Sequence, residues 1–211
     1  MDNRKFLIEK YGKGGLIKKN RYQVYPVFNE MGFKVGCEVG VAAGRNAARM
    51  IEAIPGLKLA LVDNYADSKD YVHKGKSADV VRKIAKRRII KLHKKYDFEE
   101  LFIRKDSLEA VKDFEDESLD FVYIDCNHSF DYVIRDIIEW GKKVKIGGVI
   151  SGHDYYKFKD YGVVLAVDAY MAAHDVRPVY FTNDRTSTYF WVKVKEPSGL
   201  KKRYNEWLSR S

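Results

Sequence analysis

The sequence predicts an α/β protein in which helices cover both faces of a mostly parallel sheet and the last strand is antiparallel. Short apolar runs of strand length alternate with stretches of helical period, as in repeated βαβ units. Polar residues directly follow several of these runs. The last two runs are separated by only five turn-type residues, 182–186, so they form a hairpin whose final strand runs against its neighbour.

The composition fits a single domain of ordinary size. The chain has 211 residues and two cysteines, Cys37 and Cys126, which lie outside any C-x-x-C pattern and are expected to be reduced. The apolar runs are too short to span a membrane and the N-terminus is charged, so we expect a cytoplasmic protein without a signal peptide. The net charge of +9 favours an anionic substrate or a nucleic-acid partner.

Residues 1–33 are predicted to form an N-terminal helical cap. Mixed apolar and charged residues over 2–11 and 16–32 predict helices on either side of a glycine-rich break, and Pro26 makes the second helix less regular. Such a segment covers a ligand site or serves as scaffold. The main domain is expected over residues 34–196, with a C-terminal tail at 197–211.

The central motif, residues 34–51, is predicted to form a strand, a tight turn and a helix. Gly40 and Gly44 permit positive φ and close approach of a ligand to the backbone, and the first turn of the helix offers unpaired N–H groups. The next apolar run ends at Asp63, at the spacing where dinucleotide-binding folds place an acid on the ribose hydroxyls. Together these features predict a nucleotide cradle.

The most basic element is a predicted helix that begins after Ser77 and ends at about residue 95. Its polar face carries Arg82, Lys83, Lys86, Arg87, Arg88, Lys91, Lys94 and Lys95. A solvated helix surface is the usual explanation for such a face, and contact with nucleic acid or an anionic substrate is the alternative.

Polar residues cluster at the predicted carboxyl ends of the strands, where ligands bind in parallel α/β sheets. Further strands are predicted over 101–104, 119–125 and 145–151, with helices over 107–114, 130–140 and 162–174. The residues at these strand ends are Glu38, Asp63, Asp106, Asp125, His128, His153 and Asp154. This coincidence predicts an enzyme active site.

The motifs and their order resemble the class I S-adenosylmethionine-dependent methyltransferases, and within them the small-molecule O-methyltransferases related to macrocin and catechol O-methyltransferases. The resemblance covers about residues 34–195 and rests on the segments 38–44, 62–63, 121–128 and 147–154 and on the closing hairpin. It implies a Rossmann-like three-layer sandwich whose sheet has seven strands, mostly parallel, with the last strand antiparallel.

The resemblance also implies roles for individual residues. Glu38, with the backbone of Gly40 and Gly44, would face the methionine end of S-adenosylmethionine, and Asp63 would hold the ribose hydroxyls. The implied cofactor-binding residues are Glu38, Gly40, Gly44, Asp63, Asp106, Ser107 and Asp125, with Asp106 and Ser107 beside the adenine ring.

Catalytic and metal-binding roles follow from the same resemblance. His128, three residues after Asp125, has the position of the general base in metal-dependent members of the family. Asp125 and Asp154 lie where those members bind Mg²⁺ or another divalent cation, and His153 would be a further ligand better suited to Mn²⁺ or Zn²⁺. The predicted reaction is in-line transfer of the sulfonium methyl group to a hydroxyl of a small molecule, with alignment supplying most of the rate.

Other interpretations stay open. The chain could methylate nucleic acid or protein through the basic helix at 81–95, or bind the cofactor without methyl transfer, since a fold does not determine a function. An anionic acceptor and a homo-oligomer are both compatible with the sequence. A set of aromatic residues could line an apolar acceptor pocket, namely Tyr65, Tyr155, Tyr156, Tyr161 and Trp191.

Overall fold

The computed structural model describes residues 2–66, 75–157 and 162–195, which form eight strands and seven α-helices. The strands are β1 (Gly15–Ile17), β2 (Val35–Val39), β3 (Leu57–Val62), β4 (Phe98–Ile103), β5 (Leu119–Ile124), β6 (Val144–Gly152), β7 (Tyr180–Thr182) and β8 (Tyr189–Val192). The helices are α1 (Asn3–Tyr11), α2 (Tyr25–Glu30), α3 (Arg45–Ala53), α4 (Ala78–Leu92), α5 (Ser107–Ala110), α6 (Phe130–Lys143) and α7 (Val163–His174). Short 3₁₀-helices cover Arg21–Gln23 and Val111–Asp113.

The strands form one sheet in the order β1-β7-β8-β6-β5-β2-β3-β4. Strand β8 is antiparallel to both of its neighbours, β6 and β7, and every other pair in the sheet is parallel. The predicted fold class is therefore confirmed, with one strand more than the seven expected.

The extra strand, β1, lies in the N-terminal segment that the sequence predicts to be helical. It pairs in parallel with β7, more than 160 residues away along the chain. At Gly14, just before this strand, φ is +101° and a Cβ atom would lie 2.8 Å from the carbonyl oxygen of Val179, so only glycine allows this approach. Helix α1 forms as expected before this strand, whereas the helix expected over 16–32 is reduced to the 3₁₀-helix Arg21–Gln23 and to α2.

Helices cover both faces of the sheet, as predicted. Helices α1 to α4 pack on one face through residues such as Phe28, Met50 and Ile89, whereas α6 and α7 pack on the other through Ile137 and Val167. The buried side chains of β3, β5 and β8 alternate between these two cores, which is typical of a three-layer α/β sandwich.

Helix α6 continues beyond the point where the sequence predicts its end. Gly141 lies inside the helix and is buried, and a Cβ atom there would come 3.3 Å from Cδ1 of Ile150. This glycine therefore provides close packing of α6 on β6 rather than a helix end, and α6 ends at Lys143.

In the ranges that the structure describes, none of the helices is both long and apolar enough to cross a membrane. The predicted tail at 197–211 lies outside the described residues.

Candidate active site

The turns that follow β2 and β5 touch at Gly40. Its φ is +94°, and a Cβ atom at this position would lie 2.0 Å from the carbonyl oxygen of Asp125. The amide of Asp125 in turn donates to the carbonyl of Val39 at 2.7 Å. Gly44 begins helix α3 with φ +67° and packs against Ala85 of α4. Glycine at these two positions thus shapes the predicted cradle and joins it to Asp125.

Glu38 of β2 is fully buried beside this turn. Its Oε1 atom accepts a hydrogen bond from Asn46 Nδ2 at 3.0 Å, and the Tyr25 hydroxyl donates to Asn46. The other carboxyl oxygen, Oε2, is buried without a partner. Burial raises the pKa of Glu38 to about 8, and the negative charge of Asp125 adds to this rise against the opposing hydrogen bond from Asn46.

Asp63 follows β3 and holds the cradle loop. Its two carboxylate oxygens accept hydrogen bonds from the amides of Ala42 and Tyr65, each at 2.8 Å. The Tyr65 hydroxyl donates back to the carbonyl of Ala42 at 3.2 Å. Each carboxylate oxygen has a second lone pair, so Asp63 is able to accept further hydrogen bonds from hydroxyl groups.

Asp106 and Ser107 lie at the start of helix α5. Asp106 is exposed and caps the helix by accepting from the amide of Leu108. The Ser107 hydroxyl donates to the carboxylate of Asp136 and accepts from Trp140 Nε1 at 2.8 Å. Ser107 therefore belongs to a buried network that the sequence does not predict, because its partners lie on α6.

The two cysteines are free, as expected. Cys37 is buried, and the Cys126 thiol donates to the second carboxylate oxygen of Asp136 at 2.9 Å. Burial raises the pKa of Asp136 in spite of its two hydrogen bonds. Asp136 consequently links Ser107, near the end of β4, to the loop after β5.

Four predicted residues meet where β5 and β6 end. Nε2 of His128 lies 2.7 Å from Oδ2 of Asp154 and 3.8 Å from Oδ1 of Asp125. Nδ1 of His153 lies 3.1 Å from Oδ1 of Asp154 and 3.7 Å from Oδ1 of Asp125. Asp154 has a positive φ of 55°, which turns its carboxylate towards both imidazoles. We call these four residues the acid–histidine cluster.

In this cluster the carboxylates favour the protonated imidazole of His128, and the imidazoles favour the ionised form of Asp154. Burial lowers the pKa of His128, but the neighbouring carboxylates of Asp125 and Asp154 outweigh this effect and raise the pKa to about 9. Burial raises the pKa of Asp154, and its bonds to the two histidines bring it well below the usual value. His128 and Asp154 therefore form an ion pair at neutral pH.

His153 is oriented by an arginine from the N-terminal segment. Nη1 of Arg21 lies 2.5 Å from Nε2 of His153, and the Thr186 hydroxyl lies 3.1 Å from the same nitrogen. Burial lowers the pKa of His153 while Asp125 and Asp154 raise it to about 9. A guanidinium only donates hydrogen bonds, however, so Nε2 must accept and we assign the neutral ring with its proton on Nδ1.

A metal ion has a set of ligand atoms available in this cluster. Asp125, His128 and Asp154 each offer one, and these atoms all lie within 4.8 Å of one another. Two carboxylate oxygens and one imidazole nitrogen suit a divalent cation such as Mn²⁺ or Zn²⁺ better than Mg²⁺. The structure thus brings Asp125 and Asp154 together, and His128 lies within the same group of close ligand atoms.

Two members of the aromatic set expected to line an acceptor pocket, Trp191 and Tyr155, pack against other aromatic rings. Trp191 is buried in β8, where its ring stacks on those of Tyr170 and Tyr189. Tyr155 packs against Phe181 and donates to Asp168. The prediction is wrong for Trp191, whose position in a central hairpin strand makes it a core residue, and Tyr161 lies outside the described residues.

Three solved structures illustrate what the fold is similar to. An O-methyltransferase from Bacillus cereus in complex with S-adenosylhomocysteine is 14% identical with a TM-score of 0.58, and the match covers 82% of this chain and 80% of that one. An O-methyltransferase from Streptomyces achromogenes, involved in tomaymycin synthesis and in complex with S-adenosylmethionine, is 12% identical with a TM-score of 0.58, covering 82% and 78%. A methyltransferase from Geobacter sulfurreducens is 8% identical with a TM-score of 0.58, covering 85% and 81%.

A search of the curated proteins found no match. The family described as "Methyltransferase domain" matches residues 37–155, which is more than half of the chain and includes both the cradle and the acid–histidine cluster. The expectation drawn from the sequence motifs is confirmed by this match. The chain therefore belongs to the methyltransferase-domain family, as a class I S-adenosylmethionine-dependent methyltransferase.

Proposed function

We propose that this enzyme transfers the methyl group of S-adenosylmethionine to a hydroxyl oxygen of a small molecule, with His128 as the general base. The observation that carries the proposal is the contact between Gly40 and Asp125, where a Cβ atom would meet the Asp125 carbonyl at 2.0 Å. This contact makes the predicted cofactor cradle and the acid–histidine cluster parts of one site. A methyl donor in the cradle would thus lie beside a base.

The residues of the cradle fit the cofactor. The buried Oε2 atom of Glu38 has no partner in the protein, and an unsatisfied buried oxygen of this kind suits the amino group of the cofactor's methionine part. The backbone of Gly40 and Gly44 would line the cofactor site, and the lone pairs of Asp63 suit ribose hydroxyls. Asp106, with Ser107, is proposed to lie beside the adenine ring. When bound, the cofactor supplies a methyl group on a positively charged sulfur.

His128 is proposed to accept the proton of the acceptor hydroxyl. Asp154 lies 2.7 Å from its Nε2 atom and holds the ring in place, while Asp125 lies close enough to stabilise the charge that the ring gains. Since the pKa of His128 is about 9 in the ligand-free protein, the ring must lose its proton before it acts as a base. A positive charge near the ring favours that loss.

We also propose a divalent cation at Asp125 and Asp154. Bound there, it would lower the pKa of an acceptor hydroxyl. The imidazole that completes its ligands is either His128, which lies within the set of close ligand atoms, or His153, whose Nδ1 atom lies 3.7 Å from Asp125. A cation that binds Nε2 of His128 would replace the pairing of this nitrogen with Asp154, so the two roles of His128 are distinguishable.

Calorimetric titration of S-adenosylhomocysteine, with Mn²⁺, with Mg²⁺ and with a chelator, tests the cofactor and the metal. We expect binding in all three buffers, with an additional metal-dependent heat that Asp154→Ala abolishes. Absence of binding in every buffer would refute the cofactor site. Absence of a metal-dependent heat would refute the metal site alone.

The role of His128 is tested with His128→Ala and the matched control His93→Ala, whose exposed ring lies away from the strand ends beside Glu100. We expect His128→Ala to bind S-adenosylhomocysteine normally and to lose about 100-fold or more in the rate of methyl transfer, while His93→Ala keeps the wild-type rate. If His128→Ala retains full turnover, the assignment of the base is wrong.

A further inference from the structure

Arg21 is held rigidly next to the acid–histidine cluster by its own backbone. It begins the 3₁₀-helix Arg21–Gln23, where the Asn20 side chain accepts from the amides of Tyr22 and Gln23 and the Gln23 side chain accepts from the amide of Asn20. Such a reciprocal cap fixes the entry of a helix. The position of Arg21 is therefore built into the fold.

The guanidinium of Arg21 contacts only uncharged groups. Nη1 faces Nε2 of His153 at 2.5 Å, Nη2 donates to the Tyr22 hydroxyl at 3.2 Å, and the group lies 5.0 Å from the centre of the Tyr22 ring. Among the described residues, no carboxylate forms an ion pair with it, and Asp184 approaches only its backbone amide. A half-buried cation without a counter-ion is costly in a protein.

The cluster does not supply the missing negative charge. The carboxylates of Asp125 and Asp154 face Nδ1 of His153, whereas Arg21 faces Nε2, so the imidazole ring separates them. Both carboxylates already have histidine partners. The nearby guanidinium of Arg49, 5.7 Å from the centre of the Tyr22 ring, is already paired with Glu52 at 2.6 Å, so the charge that lacks a partner is that of Arg21. The buried Glu38 carboxylate interacts with Arg21 electrostatically but forms no ion pair with it, so among the described residues the counter-ion position at the guanidinium is open to an anion.

We propose that Arg21 binds an anionic group of the acceptor, a carboxylate or a phosphate, and so selects acidic hydroxyl compounds. This inference rests on the proposed function, since it names the acceptor class of the same site. The planar guanidinium is suited to two parallel hydrogen bonds with either group. Because one imidazole separates Arg21 from Asp154, the anionic group and the methylated hydroxyl would belong to the same small molecule.

The test uses benzoate and inorganic phosphate as probes, which distinguish the two sources of negative charge. Each is titrated by calorimetry into the full-length protein, with and without S-adenosylhomocysteine, using the wild type, Arg21→Gln, Arg21→Lys and the control Arg87→Gln. Arg87 is exposed on the basic helix α4. We expect the wild type and Arg87→Gln to bind at least one probe with the same affinity. Arg21→Gln should bind that probe at least about tenfold more weakly, and the affinity of Arg21→Lys should lie between those of the wild type and Arg21→Gln.

Equal affinity in the wild type and Arg21→Gln would overturn the proposal, as would failure of the wild type to bind either probe. Loss of binding in Arg87→Gln but not in Arg21→Gln would assign the anion to the basic helix instead. Failure to bind S-adenosylhomocysteine would refute the proposed function. The probe titrations without this ligand would still test whether Arg21 binds an anion.

A measurement on the wild type alone guards against a variant that does not fold. Phenylglyoxal modifies accessible guanidinium groups, and peptide mass spectrometry reads the extent at each arginine. We expect the bound probe to slow modification of Arg21 and to leave that of Arg87 unchanged. Equal modification of Arg21 with and without the probe would contradict the proposal.

Discussion

Replacing Glu38 by glutamine should make the ligand-free protein more stable at neutral and alkaline pH. Glutamine keeps the shape of the protonated side chain and the hydrogen bond that Asn46 donates to Oε1. It removes only the ability to ionise in a site where Oε2 has no partner. The effect of the substitution should therefore depend on pH rather than on packing.

The magnitude follows from the raised pKa of Glu38, which burial shifts from 4.5 to about 8. Between these two pH values the folded protein binds more protons than the unfolded chain, so the stability that this group contributes is complete below about pH 4.5, falls as the pH rises, and is fully lost above about pH 8. At about 1.4 kcal/mol for each pKa unit, the loss is about 3 kcal/mol at pH 7 and about 5 kcal/mol when ionisation is complete.

The assay is urea denaturation of the wild type and Glu38→Gln at intervals from pH 5 to pH 9, without cofactor. We expect the free energy of unfolding of the variant to exceed that of the wild type by an amount that grows with pH. Glu99→Gln is the control, because Glu99 is exposed and its pair with Lys58 lies on the surface of the sheet edge. A difference that stays constant between pH 6 and pH 9 would show that Glu38 does not titrate there and would refute the reasoning.

Three further predictions concern the glycine turn, the buried network and the basic helix. Gly40→Ala should abolish binding of S-adenosylhomocysteine, because its Cβ atom would meet the Asp125 carbonyl. The control is Gly56→Ala, since Gly56 also has a positive φ, +70°, but has open space around it. This control should only destabilise the fold, by about 1–2 kcal/mol. Ser107→Ala should lower the free energy of unfolding by about 1–3 kcal/mol in urea denaturation, since Trp140 loses its buried acceptor; loss of cofactor affinity without destabilisation would contradict this. Fluorescence anisotropy with RNA should show no steep dependence of affinity on salt, and a steep slope removed by substitutions on α4 would support the nucleic-acid alternative.

Much of the fold is predictable from the sequence because its main elements carry strong local patterns. Strand β5 and helix α4 are recognisable from apolar runs and helical periodicity alone. Strand β1 is not, because its three residues include one glycine and the exposed Leu16, and its hydrogen bonds come from a strand far along the chain. The role of Gly141 is similarly hidden, since glycine ends many helices and only the packing on Ile150 shows why this one does not.

The candidate site is predictable to the extent that strand ends converge. Asp125, His128, His153 and Asp154 follow two adjacent strands, so their proximity follows from the topology of the sheet. The contact of Arg21 with His153 could not be predicted, because it depends on where a short N-terminal helix docks and no sequence motif marks it. The tautomer of His153 depends on that contact, so it could not be predicted from the sequence either.

Protonation of Glu38 also connects cofactor binding to pH. If the amino group of the cofactor pairs with Oε2, as proposed, binding requires the ionised carboxylate, and at pH 7 a group with a pKa of about 8 must release a proton. S-adenosylmethionine carries a positive sulfur that its demethylated product lacks, so it should favour ionisation of Glu38 more strongly than the product does. Calorimetry in two buffers of different ionisation enthalpy measures the released protons. We expect a larger release for S-adenosylmethionine than for S-adenosylhomocysteine, and none for either ligand in Glu38→Gln; equal release in the wild type and the variant would place the titrating group elsewhere.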